Sequence, residues 1–148
     1  KRPNWKIVMI GGAVAGHNDL YASILTQAEE LPNLDFRGAV AYHDIGDYFS
    51  RAKVFANTSD SEGFPNSFLQ AWVRAVPVVS FFDPDNLVKT KRLGRAPVDL
   101  DNMIFELDSL LQNDVERAEI GRRARSYVVD NYAPIAVARA YERSMAQL

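Results

Sequence analysis

Nine consecutive residues, Ser59-Asp60-Ser61-Glu62-Gly63-Phe64-Pro65-Asn66-Ser67, concentrate most of the chemistry available to this chain. Gly63 lets backbone approach a ligand closely, Pro65 fixes a turn, and Asn66 and Ser67 offer capping side chains at the mouth of a helix expected over residues 66–75. The free N–H groups and partial positive charge of a helix start bind anions. A charge at an exposed helix end gains only about 0.3–1 kcal/mol, so these donors must act with other groups to hold a diphosphate. Glu62 would repel phosphate, and its natural partner is a hydroxyl donor such as a sugar. Each charged hydrogen bond of that kind adds roughly 1.5–3 kcal/mol in a dry site. Gln70 lies one turn inside the helix on the polar stripe Asn66, Gln70 and Arg74, and helical side chains lean back toward the N-terminus, so it can reach the same ligand. Phe68, Leu69, Trp72 and Val73 are expected to anchor the helix. On pattern alone, an ordinary loop with Glu62 decorating a helix start fits equally well.

Other residues offer less. Gly11-Gly12-Ala13-Val14-Ala15-Gly16 follows a strand, yet it lacks the Gly-x-Gly-x-x-Gly spacing, and His17-Asn18 stands where a P-loop needs Lys and Ser or Thr. His17 and His43 are the only histidines, and no carboxylate cluster at ligand spacing accompanies either. Asp83-Pro84-Asp85 reads as a turn rather than a metal-binding acidic pair. Lys89, Lys91, Arg92 and Arg95 read as a solvated basic face.

These groups must be positioned by a chain of 148 residues, 47% of them hydrophobic, which is enough to bury the core of one domain. The formal net charge of −2 gives no sequence-independent hold on nucleic acid or on an anionic membrane. With no cysteine there is no disulfide framework, thiolate metal site or cysteine nucleophile, as befits a cytoplasmic protein. No apolar run approaches the roughly 20 residues of a membrane span. Short β-branched runs at residues 5–10, 34–40, 53–58 and 77–82 predict buried parallel strands, alternating with helices over the stretch after Asn18, over 45–51 and over 66–75. Such alternation implies a parallel sheet covered on both faces. The helix after Asn18 carries the stripe Leu20, Ile24, Leu25, Ala28 and Leu31. Residues 83–97 read as a long surface loop. From Val98 onward three apolar stripes predict helices only: Leu100, Ile104, Leu107 and Leu111; Ile120, Ala124, Tyr127 and Val128; and Ile135, Ala138, Tyr141 and Met145, after a Pro134 suited to a first turn.

Glu62-Gly63-Phe64-Pro65-Asn66-Ser67-Phe68-Leu69-Gln70-Ala71-Trp72, followed by Pro77-Val78-Val79, resembles the Glu-x7-Glu signature of the family 4 (group 1) retaining glycosyltransferases of two-lobe GT-B architecture. Residues 5–12 resemble that family's strand ending in glycine, 35–40 its nucleotide strand, 45–59 the helix and strand before the acidic turn, and 121–132 its helical tail. The resemblance spans nearly the whole chain. It implies that residues 1–148 are the C-terminal, donor-binding lobe of a longer enzyme: an α/β, Rossmann-like parallel sheet flanked by helices and ending in an all-helical tail. The implied substrate is a nucleotide-diphosphate sugar, transferred with retention to an unknown acceptor, with no cofactor and no metal. Glu62 would contact donor-sugar hydroxyls, and the backbone of Gly63, Phe64, Pro65 and Asn66 would lie against sugar and diphosphate. Gln70 stands where a second glutamate would bind the ribose, and Val40 and Tyr42 fall in the stretch that frames the base.

The sequence also departs from that pattern. Glutamine at 70 keeps an acceptor but loses the charge, weakening a ribose contact by about 1 kcal/mol. Val76 replaces a frequent glycine, and Leu93-Gly94-Arg95-Ala96-Pro97 matches the usual Gly-Leu-Leu-Val loop only loosely. The family's arginine and lysine that neutralise the diphosphate precede the strand at Trp5, so they and the acceptor-binding N-terminal lobe lie outside this sequence. This piece alone is therefore expected not to turn over, and any peripheral contact with a membrane would be made by the missing lobe. Two other functions fit the same residues: a non-catalytic nucleotide- or sugar-binding module, and a nucleotide-sugar epimerase of GT-B shape.

Overall fold

Apolar runs closed by glycine or polar residues form the strands, and the amphipathic stretches between them form the helices. The computed structural model describes residues 4–146, and the chain divides into two compact units between Ile45 and Gly46. In the first unit, β1 (Ile7–Met9) and β2 (Leu34–Phe36) pair in parallel, with Ile7 opposite Leu34 and Met9 opposite Phe36, across the connecting helix α1 (Asn18–Glu29). Tyr21 of α1 packs on Phe36, ring centroids 5.8 Å apart. Beyond the strands, Gly11 N–H donates to the Gly38 carbonyl at 2.9 Å. A Cβ on Gly12 would stand 3.0 Å from that of Ala39, so glycine is what lets the two loops meet.

Two expectations for this unit are corrected. The second strand stops at Phe36 rather than residue 40, because Gly38 at φ +62 turns the chain out of extended geometry. The first strand is not buried: Ile7, Val8 and Met9 are 41%, 50% and 40% exposed, and no residue of α1 is buried. Two strands and one helix supply too few layers to enclose both faces.

Helix α2 (Tyr42–Arg51) begins three residues earlier than its periodicity predicts. In the second unit, β3 (Phe55–Asn57), β4 (Val78–Ser80) and β5 (Gly94–Arg95) are parallel in that order, with Phe55 opposite Val78 and Val78 opposite Gly94. Helix α3 (Asn66–Trp72) joins β3 to β4. The tail comprises α5 (Leu100–Gln112), α6 (Asp114–Tyr132) and α7 (Pro134–Met145). Side chains alternate across a strand. Val79 therefore turns toward Met103, Leu110 and Ile120, while Val78 and Phe55 turn toward the other face. There Phe68 and Trp72 are fully buried, with Phe55 to Phe68 at 6.3 Å and Phe68 to Trp72 at 5.4 Å. The sheet is thus flanked by helices on both sides, as expected. The third stripe is not covered: Ile135, Tyr141 and Met145 are exposed. Among the described residues, no helix is long and apolar enough to cross a membrane.

The segment 83–97 is ordered structure rather than a surface loop. A 3-10 turn (Pro84–Asn86), helix α4 (Leu87–Thr90) and β5 follow one another in it, and Pro84, Val88, Leu93, Gly94 and Pro97 are buried. Asp83 holds its start, accepting from the N–H groups of Val88 at 2.7 Å and Lys89 at 3.2 Å. The Trp72 indole N–H holds its end, donating to the Leu93 carbonyl at 3.0 Å in a buried setting. Polarity hid this order, because Asp85, Lys89, Lys91 and Arg92 are exposed while the buried residues among them follow no single period. Trp72→Phe keeps an aromatic ring but orphans that carbonyl, so unfolding midpoints in urea should report a loss of about 1–3 kcal/mol. An unchanged midpoint would show that water satisfies the carbonyl.

Candidate functional site

The turn between β3 and α3 is organised by a residue the sequence reading missed. Asn57, buried at the end of β3, donates through its side-chain amide to Glu62 Oε1 at 2.9 Å and accepts from the Ser59 backbone N–H at 2.7 Å. An asparagine closing the apolar run Val54-Phe55-Ala56 was the available signal. The Ser59 side chain and then the Asn57 amide hydrogen-bond the Glu62 carboxylate and hold it below the ordinary carboxylate range, against a smaller opposing effect of burial. Glu62 is nevertheless exposed. The result is an ionised, oriented and accessible acceptor.

Gly63 borders open space, with no atom within 4 Å of where a Cβ would stand. Its flank is free for a ligand's close approach. Phe64 is 41% exposed and rests on Trp72 and Tyr132, at 6.4 Å and 5.5 Å between ring centroids. Pro65 is buried and precedes α3 with extended geometry (φ −70, ψ 117). Asn66 and Ser67, expected as caps, instead lie in the first helical turn, and no side chain caps the helix. The backbone bond from Phe68 N–H to Pro65 O, 3.0 Å, closes that turn. The N–H groups of Asn66 and Ser67 stand ahead of it. Helix α3 has seven residues rather than ten, because the chain leaves it through Ala75 at φ +59. So short a helix has little macrodipole, and any anion would be held by local N–H donors.

Gln70 is engaged within its own helix. Arg74 donates to Gln70 Oε1 at 2.8 Å and to the Gln70 carbonyl at 3.1 Å. Phe68 and Trp72 anchor α3 as expected, whereas Leu69 is half-buried and Val73 is 39% exposed. Val40 and Tyr42 belong to the first unit: Val40 is half-buried in the loop after β2, and Tyr42 opens α2 with its side chain exposed. Arg95, expected on a solvated basic face, is instead half-buried and pairs with Glu106 at 3.0 Å and with Glu116, tying β5 to α5 and α6. His43 faces Asp44 at 3.4 Å and is exposed. Among the described residues, no three His, Asp or Glu side chains gather as a metal site. A groove of about 670 Å3 lined by Ala75, Arg122, Arg125 and Asp130 shares no residue with the turn.

A family model described as glycosyl transferases group 1 matches residues 1–113. Among curated proteins nothing matches. Solved structures share the fold at low identity, among them the following. The Anabaena protein HepE in complex with UDP-glucose superposes with a TM-score of 0.78 at 19% identity, covering 95% of this chain and 40% of that one. A mutant of S. aureus TarM in complex with fondaparinux, alpha-GlcNAc-glycerol and UDP gives 0.73 at 21%, covering 93% and 28%. Sucrose-phosphate synthase from Thermosynechococcus elongatus gives 0.74 at 18%, covering 96% and 38%. The chain thus spans less than half the length of each. With a GT-B, Rossmann-like fold and a family model matched over most of its length, the chain belongs to the group 1 glycosyltransferases.

Proposed function

We propose that this chain is the donor-binding lobe of a retaining glycosyltransferase and that residues 59–67 receive the sugar end of a nucleotide-diphosphate sugar. One observation carries the reading: Asn57 and Ser59 keep the Glu62 carboxylate ionised and exposed beside the open flank of Gly63. Such a carboxylate is built to accept from hydroxyls, and the N–H groups of Asn66 and Ser67, four and five residues further along at the start of α3, are the donors offered to the diphosphate. HepE in complex with UDP-glucose, and TarM with UDP, support a nucleotide sugar as the ligand class. Catalysis needs no metal in this reading, because basic groups outside this chain meet the diphosphate charge. The acceptor is likewise held by a second lobe, in keeping with the share of the larger structures that this chain spans.

A thermal-shift panel of UDP, GDP, ADP and their sugars tests the proposal, since a ligand of the native state raises the melting temperature. One base series should shift the midpoint, its sugar nucleotide more than its diphosphate. No shift with any member at about 1 mM, where a site with a Kd near 10 µM would gain about 2.7 kcal/mol, would sink it.

The hydrogen bond from Arg74 to Gln70 Oε1 favours a second reading. With its acceptor oxygen turned to Arg74, Gln70 gives less to a ribose, as in a module that binds without transfer. Nucleotide binding without donor turnover by the full-length protein would select that reading.

A further inference from the structure

The Glu62 turn is attached to the second unit at two points. At one, Asn57 grips the Glu62 carboxylate. At the other, two residues on, the Phe64 ring enters a closed circuit of four aromatic rings. Phe64 lies 5.5 Å from Tyr132 at an interplanar angle of 33°, and 6.4 Å from Trp72 at 67°. Tyr132 lies 6.1 Å from Tyr127, and Tyr127 closes the circuit on Trp72 at 6.3 Å, edge to face. Trp72 is fully buried and fixed by its bond to the Leu93 carbonyl, so the circuit stands on a rigid base. Tyr132 is the last residue of α6, and the chain leaves it in extended geometry at Ala133 (φ −62, ψ 147). Burial, followed by the interaction with Tyr132, pushes the Tyr127 hydroxyl up.

Neither outer ring is core. Phe64 is 41% and Tyr132 37% exposed, so the two rings meet at the surface rather than in the core. Phe64 is the residue directly after Glu62-Gly63, so the contact lies one peptide beyond that pair. We infer that Tyr132 is a positioning residue for donor-sugar recognition, holding Phe64 and thereby the Glu62 carboxylate at the place where a hydroxyl is accepted. The inference rests on the proposed reading of the turn. It gives α6, otherwise a structural tail, a part in choosing the ligand.

The test is calorimetry on the 148-residue chain with a nucleoside diphosphate and its sugar nucleotide, reading the ratio of their dissociation constants. Tyr132→Ala should reduce the preference for the sugar nucleotide by roughly two- to tenfold, the range an aromatic pair contributes. Tyr132→Leu, which keeps apolar bulk without the ring, should do the same, and Tyr132→Phe should retain the preference. In a Glu62→Ala background, Tyr132→Ala should change the ratio no further, because its effect runs through that carboxylate. A role in packing alone would lower the melting temperature and weaken both ligands equally, and that outcome overturns the inference. So does an unchanged preference in Tyr132→Ala when the parent chain prefers the sugar nucleotide. If the parent chain binds neither ligand, or both equally, the reading of the turn falls and the inference with it.

Discussion

Alanine at position 121 is expected to destabilise the chain by about 3 kcal/mol, although alanine is the better helix former by about 1 kcal/mol. Gly121 is buried on the core side of α6 among Ile120, Ala124 and Val128. A Cβ there would run into the Ala75 carbonyl group, its carbon 2.9 Å and the Ala75 Cβ 3.3 Å away. Neither partner can yield easily. Ala75 already holds φ +59, a left-handed conformation that residues with a Cβ rarely adopt, and it leads through the buried Val76 and Pro77 into β4. On the other side, α6 is held by Ile120, which packs in the cluster with Val79, Met103 and Leu110. The urea midpoint should fall while the slope stays constant, the mark of a change in stability without a change in the surface exposed on unfolding. A neutral or stabilising result would show that α6 slides away from Ala75 without penalty.

Replacing Glu62 by glutamine is expected to lower sugar-nucleotide affinity about fivefold for each hydroxyl it accepts from, since turning a charge-assisted hydrogen bond into a neutral one costs about 1 kcal/mol. Affinity for the bare nucleoside diphosphate should barely change, since it lacks the hydroxyls in question. Glutamine keeps the length of the side chain and an oxygen that can accept from Asn57, so the turn itself should survive. Titration calorimetry of both ligands against both proteins separates the two effects. Equal loss for both would mean that Glu62 shapes the turn and does not touch the sugar.

The pH dependence follows with a definite sign. The Glu62 pKa is lowered from 4.5 in the folded chain. Sugar preference should therefore be level from neutral pH down to that value and disappear only as acid protonates the carboxylate below it. The small stabilisation from the Asn57 and Ser59 contacts behaves alike, being complete above 4.5 and lost as pH falls through the lowered folded value.

How much of this was legible differs from element to element. Alternating β-branched runs and amphipathic stretches placed the strands and helices of the sheet in order, because both signals are periodic over a few neighbouring residues. Strand ends were read too long at residues 37–40, where Gly38 turns the chain out of extended geometry, and at 81–82, where the apolar Phe81 and Phe82 continue past the strand. Burial misled more. Ile7-Val8-Met9 has the composition of an interior strand and is exposed, because composition records what a strand can bury and not what covers it. Residues 83–97 erred in the opposite direction: a polar surface concealed Val88, Leu93 and Pro97 below it.

The site divides along the same line. By itself, the sequence determined the family resemblance, the position of the Glu62-Gly63 turn between a strand and a helix, and the substitution of Gln70 for an acidic residue. Those are facts of residue type and spacing. The tertiary structure decided that Asn57 aims Glu62, that Gln70 is held by Arg74, that Trp72 pins Leu93, and that Tyr132 reaches across from α6 to Phe64. Apart from the local Gln70–Arg74 and Asn57–Glu62 pairs, four and five residues apart, each depends on the relative placement of separate segments, and side-chain hydrogen bonds and ring contacts act only over a few ångströms. No local period of the chain encodes a meeting between residues as far apart as 64 and 132; it exists only once the sheet has set where each helix ends.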